Sequence, residues 1–244
     1  MRARDSYELN TKGCLWMQHH KKYLKILLLS FCTLYVLPVL AEDSLSPGAL
    51  TQLQRDAERG DAEVQFRLGS FYEQQNRSRE NQQLAFKWML AAAGQGHAQA
   101  QVSVAQYYKT GTVSERNLPE AVSWFARVSD QGYAAGYFGL GRMYYRGHGV
   151  DQDYPRAFQL YELAARSGHA SAQAALGYMR DNGLGVEPDD VEALKWYLLS
   201  AEKWFTANSY VYYMQQKMDE TSVNEARVRA DQYRKKNYPG VDSD

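Results

Sequence analysis

The sequence predicts an all-α fold: an α/α solenoid of helix-turn-helix units, each 36 residues long. Three observations predict it. Ala62, Ala98, Ala134 and Ala170 recur at intervals of 36, and Ala85, Ala121, Ala157 and Ala193 repeat that spacing 23 residues later. Large and small apolar residues keep fixed offsets from these alanines: Leu68-Gly69, Val104-Ala105, Leu140-Gly141 and Leu176-Gly177 at six and seven, then Tyr72, Tyr108 and Tyr144 at ten. Glycine loops punctuate the units at Gly147-His148-Gly149-Val150 and Gly183-Leu184-Gly185-Val186. Self-similarity at a fixed period of about 20–50 residues marks a stacked-repeat architecture.

Residues 1–41 read as an export address. They carry Arg2, Arg4, Lys12, Lys21, Lys22 and Lys25 against Asp5 and Glu8, followed by an apolar run from Ile26 to Leu40. A basic region, an apolar core of about fifteen residues and a small residue at the exit make a Sec-type signal peptide. Cleavage is expected after Ala41, with Pro38 breaking the helix just before the site. The competing reading is a retained membrane anchor, which needs about 20 apolar residues. Cys32 stands behind Phe31 rather than behind a small residue, which argues against lipidation. Met17, directly before Gln18-His19-His20, reads as a better start than Met1.

Removing 1–41 takes the 28 basic and 28 acidic residues to 22 and 26, a net charge of −4. It also removes Cys14 and Cys32, leaving no cysteine. Neither a disulfide scaffold nor a four-cysteine zinc site is then possible, and the charge balance argues against a nucleic-acid binder.

Residues 42–61 are expected to form an N-terminal capping helix, because Ala49 and Gly60 lie 36 before Ala85 and Gly96. Repeats follow at 62–97, 98–133, 134–169 and 170–206. In each, small and apolar offsets 0, 6, 7 and 10 share one face of a first helix. A glycine able to adopt the left-handed conformation ends it. The second helix starts near Asn117-Leu118-Pro119 or Asp153-Tyr154-Pro155, a capping side chain with proline in the first turn. Its alanine, with Trp88, Trp124 or Trp196 three residues on and Leu160 in repeat three, faces inward. Residues 207–244 are assigned to C-terminal capping helices and a tail, with a charged closing helix over about 222–236.

The pattern Ala-x5-Leu-Gly-x2-Tyr, Gly-x-Gly-Val, Ala-x2-Trp and Ala-Ala-x2-Gly resembles the Sel1-like repeat family, a relative of the tetratricopeptide repeat. Leu140 to Gly168 and Leu176 to Ser200 match best; Gln75 and Arg77 replace both loop glycines in repeat one, and Val113 replaces one in repeat two. The resemblance covers roughly 48–236. It implies a right-handed superhelix of Sel1-like repeats and a protein-interaction module, often periplasmic or exported in bacteria.

Residues that suggest chemistry have structural explanations. His97 and His169 both fall at offset 35, in turns two repeats apart, about 20 Å if each repeat adds a helix width. One zinc with bonds near 2 Å cannot hold both. His148 stands alone on its loop. Gly136, Gly139 and Gly141 have Tyr144 where a dinucleotide motif needs its last glycine. No nucleophile motif occurs after residue 41. Asp151, Asp153, Asp189 and Asp190 sit where second helices begin and favour the helix dipole. No cofactor and no metal is expected.

Offsets 1, 5, 8 and 12 of the first helix point away from its partner helix. In solenoids of this kind the first helices line the concave surface, which predicts a partner-binding groove of Arg67, Ser103, Gln106, Arg142, Arg146 and Tyr178. Arg and Tyr are enriched at interface hot spots. Val211-Tyr212-Tyr213 near Trp204-Phe205 suggests a second docking patch, with packing of the closing helix as the favoured alternative. The functional expectation is a non-enzymatic adaptor, periplasmic or secreted, that holds a protein or peptide, with no nucleic acid and with membrane contact only if the leader is retained. The alternatives are a cell-wall or antibiotic-acting hydrolase, of the kind proposed for cysteine-rich relatives, and a membrane-tethered regulator.

Overall fold

The computed structural model describes residues 46–75 and 78–238; the leader, its cleavage site and Arg77 lie outside them. Among the described residues every regular element is a helix. A capping helix α1 (Pro47–Glu58) precedes four antiparallel pairs: α2 (Ala62–Gln74) with α3 (Arg79–Gly94), α4 (Ala98–Thr110) with α5 (Leu118–Asp130), α6 (Ala134–Arg146) with α7 (Tyr154–Arg166), and α8 (Ala170–Asn182) with α9 (Asp190–Ala201). Two helices, α10 (Ala207–Lys217) and α11 (Glu220–Asn237), close the stack. From α1 to α10 each helix packs on its neighbours in sequence, as in a solenoid, and α11 turns back to pack on α9. None of the described helices is long and apolar enough to cross a membrane.

Helix ends follow from local chemistry. Asp61, Asn117, Asp153 and Asp189 each accept a hydrogen bond from the backbone N–H three residues on, at 2.8–3.1 Å, which satisfies donors that a helix leaves unpaired. Of the four aspartates read as sitting at second-helix starts, Asp153 and Asp189 are the N-caps, while Asp190, in the first turn of α9, is paired with Lys217 at 2.7 Å. Gly111, Gly147 and Gly183 end α4, α6 and α8 in the left-handed region. Repeat one ends differently. Gln75 is extended there, and α3 starts so early that it runs to 16 residues. With Gln75 extended rather than left-handed, that position does not call for glycine.

The core runs along the helix pairs. Leu68, Val104 and Leu176 are fully buried at offset six, and Ala85, Ala121, Ala157 and Ala193 are fully buried in the second helices. One core assignment is corrected. Tyr72 is buried as expected, but Tyr108 and Tyr144 are half-buried, and in repeats two to four the deeper position is offset nine, held by Tyr107, Met143 and Met179. Offsets six and nine are three residues apart, just under one turn of about 3.6 residues, so they share a face and the buried stripe of these repeats leans toward nine.

A second, polar repeat was hidden in the sequence. Gln65, Gln101 and Gln173, all at offset three, are buried and donate to the carbonyls of Ala57, Ala93 and Ala165 at 3.2, 3.1 and 3.5 Å. Gln95 and Gln131 then donate to the side-chain oxygens of Gln65 and Gln101 at 2.8 and 2.7 Å. Buried amides held this way add directional bonds to an otherwise non-directional interface. Repeat three breaks the series with Tyr137, and in repeat four the hydroxyl of Tyr238 bonds Gln173 and the Ala165 carbonyl.

The C-terminal end corrects another expectation. Helix α10 buries Ala207 and Met214 and half-buries Val211. That i, i+4, i+7 stripe leaves Tyr212 and Tyr213 on the other side of the helix, exposed together with Phe205. They do not pack the closing helix. That helix instead uses Val223, Ala226, Ala230 and Tyr233, the last edge-on to Trp196 at 5.0 Å, and ties down Glu192 and Glu202 with Arg229 and Arg234.

Candidate partner-binding groove

The first helices of neighbouring repeats, α4 and α6, touch one another, whereas second helices make no comparable contact. Gly139 lets α6 approach α5: a Cβ there would fall 2.2 Å from a Phe125 ring carbon. The Phe125 ring fills that gap and becomes part of the floor of a cavity of about 170 Å³ between α4 and α6. Val102, Phe138 and Met143 complete the apolar lining, and Gln106, Lys109, Arg142 and His169 supply polar atoms. An apolar cavity of about 150 Å³ holds a benzene-sized group, so this one accommodates a single side chain.

The cavity is electrically one-sided. Lys109 is held below its ordinary pKa by burial and by the positive charges of Arg142 and Arg146. His148, on the glycine loop after α6, is lowered by burial and then by Arg116, Arg146, Arg142 and Lys109. Among the described residues no carboxylate forms an ion pair with Lys109, Arg142, Arg146 or Arg116. Arg142 lies over the Phe138 ring at 5.6 Å, which orients the guanidinium beside the cavity.

Of the sequence-predicted residues, Gln106 and Arg142 line this cavity together, and Arg146 lies within electrostatic reach of it. Tyr178 is 42% exposed and sits beside Tyr145 on the next repeat's side of the groove. Arg67 is exposed and Ser103 half-buried, and neither lines the cavity. Sequence reasoning missed Val102, Lys109 and Phe138. Their offsets are 4 and 11, which with 8 make an i, i+4, i+7 stripe. The expected stripe of 1, 5, 8 and 12 sat about one residue to the side, because the buried face leans toward offset nine.

The histidines are caps rather than plain turn residues. His97 and His169 accept from the N–H groups of Ala100 and Ala172 at 3.2 and 3.3 Å, and their rings stack on Phe66 and Phe138 at 4.4 and 4.5 Å. Among the described residues no three His, Cys, Asp or Glu side chains converge on a point where a metal ion would sit. Burial lowers the His169 pKa, so the folded chain binds fewer protons there than the unfolded one. The cap's contribution is complete above the ordinary value near 6.5 and is lost as pH falls through the lowered one. His169→Ala is expected to cost about 1–2 kcal/mol through the cap and the ring stack. His169→Asn keeps the cap and flattens the acid-side decline, as melting curves at pH ~7 and ~5 would display.

The Sel1 repeat family model matches residues 62–97, 98–133, 134–169 and 170–203. A protective antigen present in uropathogenic Escherichia coli strains, displaying an SLR fold, is 29% identical, with a TM-score of 0.71 over 78% of this chain. The chain spans 41% of that antigen's length. A Sel1 repeat protein from Oxalobacter formigenes is 31% identical over 76% of this chain and 75% of its own, with a TM-score of 0.66. A Sel1 repeat protein from Klebsiella pneumoniae subsp. pneumoniae, at 21% identity and a TM-score of 0.51, covers 75% of this chain and 98% of its own and shares the fold. No curated protein sequence matches the chain.

Proposed function

The chain belongs to the Sel1 repeat family, whose members are generally protein-interaction modules, and from that premise we propose that it is a non-enzymatic adaptor that seats a protein or peptide on the concave face of its first helices. The observation that carries this reading is the cavity between α4 and α6, floored by Phe125 and Phe138 and rimmed by Gln106, Lys109 and Arg142, continuing to exposed Tyr178. Apolar floors with a few convergent polar groups are what ligand sites are made of, and Arg and Tyr are the residues that dominate interface energetics. The adaptor works in the periplasm or is secreted. The leader over 1–41 supports that compartment, and so does a mature chain without cysteine, to which oxidising surroundings are indifferent.

Capture from a cell-envelope extract tests the reading. The wild-type chain is expected to retain a specific partner that the double variant Arg142→Ala, Tyr178→Ala retains at least tenfold less, the effect of losing about 1.4 kcal/mol. Undiminished capture by the double variant would remove the groove from the account. N-terminal sequencing of the same exported preparation is expected to begin at Glu42; a start upstream would make it a tethered protein.

A further inference from the structure

Resting on the groove reading above, we infer that the occupant is a short acidic peptide segment, with carboxylates on Lys109, Arg142 and Arg146 and one apolar side chain in the cavity between them. Lys109 and Arg142 line the cavity and Arg146 lies within electrostatic reach, and their mutual repulsion is unrelieved by any described ion pair. Such crowding destabilises the free chain and is relieved when anions enter.

The groove also limits how far the anion extends. Offset 11 carries Glu73, Lys109, Tyr145 and Asp181 in successive repeats, so the cationic stretch has a carboxylate on either side. Glu73 accepts from the Tyr107 hydroxyl at 2.7 Å, and Asp181 is held by Lys217 at 2.8 Å. A polyanion longer than about two repeats would run into one or both. Two repeats span about 20 Å at a helix width each, the reach of about six extended residues. Duplex DNA, whose binding proteins spread about 6–10 phosphate contacts over a long basic footprint, does not suit so short a run. A flat anionic bilayer does not reach cations set around a cavity between two helices. The apolar floor of Val102, Phe125 and Phe138 lies among the cations, so the segment interleaves apolar and acidic side chains.

The test is direct binding to the purified full chain, read by fluorescence anisotropy. The probe is a labelled peptide of about six residues, alternating Glu with Leu and Phe; its comparators are the same peptide with Gln for Glu, an oligothymidylate of equal charge, and phosphatidylglycerol vesicles. The Glu peptide is expected to bind saturably, with the Gln peptide at least tenfold weaker. The variant Lys109→Gln, Arg142→Gln, Arg146→Gln is expected to lose at least tenfold in affinity while melting no lower than wild type, because it relieves repulsion. Were that variant to misfold, the loss of Glu-peptide binding by wild type as salt rises carries the same test, through screening.

Equal binding of the Glu and Gln peptides overturns the inference. So does binding of the oligothymidylate or the vesicles more tightly than the Glu peptide. An envelope partner that depends on Arg142 and Tyr178 but is not displaced by the Glu peptide refutes the acidic-segment inference and leaves the groove standing. A partner indifferent to both refutes the two together.

Discussion

Gly185→Ala is expected to destabilise the chain by roughly 3–5 kcal/mol and lower Tm by about 6–20 °C, at the 2–4 °C per kcal/mol typical of this size. Gly185 sits at φ +70, and a Cβ built on it falls 2.5 Å from the backbone nitrogen of Pro155 and the carbonyl carbon of Tyr154. The left-handed conformation costs a non-glycine residue about 1 kcal/mol or more. The clash costs more, because the obstacle is the first turn of α7 rather than a side chain free to rotate. Relief requires the loop of repeat four to lift off the second helix of repeat three, which opens the interface that makes the stack. Gly183→Asn is the matched control. It is also left-handed, at φ +64, but the nearest atom to its Cβ is Pro188 Cδ at 3.4 Å, ordinary contact. Asparagine tolerates that conformation, so thermal melts of the two variants should separate widely. Similar melting temperatures would mean that the loop does not carry the repeat interface.

Deleting α11, by ending the chain after Met218, has the second large expected effect. The helix covers Leu194 and Tyr197 through Val223 and Ala226, and Trp196 through Tyr233. Exposing three such side chains costs about 1.5–3 kcal/mol each, so on the order of 5–9 kcal/mol, comparable with the whole net stability of a domain at about 5–15 kcal/mol. The deletion also frees Glu192 and Glu202 from their arginines and removes the Tyr238 bond to the Ala165 carbonyl. The expected product loses its cooperative melt, by circular dichroism, and elutes as aggregate on size exclusion, since terminal repeats need a polar cap to stay in solution. A monodisperse product with an unchanged melt would contradict the capping role.

These effects explain which parts of the molecule were legible in advance. Ala62, Leu68 and Gly69 recur because each must fit the same neighbour at the same place in every unit, so packing wrote its period into the sequence. Gln65, Gln101 and Gln173 recur just as regularly, but a glutamine reads as surface until its partner carbonyl is seen. The groove was legible in part for a related reason. The residues facing away from the core follow the core's own geometry, so Gln106 and Arg142 were found. Lys109 and Phe138 were not, since a shift of one residue in the core stripe moves the outer stripe with it. Tyr212 and Tyr213 could not be placed from the sequence, because the period slips at Trp204 and the helix after it answers to Met214 instead of to the repeat.

The repeats bring apolar floor and cationic rim together between α4 and α6; a second cavity, of about 350 Å³, lies at the C-terminal end between α9 and α11. A photo-reactive amino acid placed at Gln106, on the groove, or at Gln159, exposed on the outer helix α7, separates the two faces in cells that express the full chain. Irradiation is expected to give a discrete cross-linked adduct from position 106 and none from position 159. Adducts from 159 with none from 106 would place the partner on the outer face and contradict the groove.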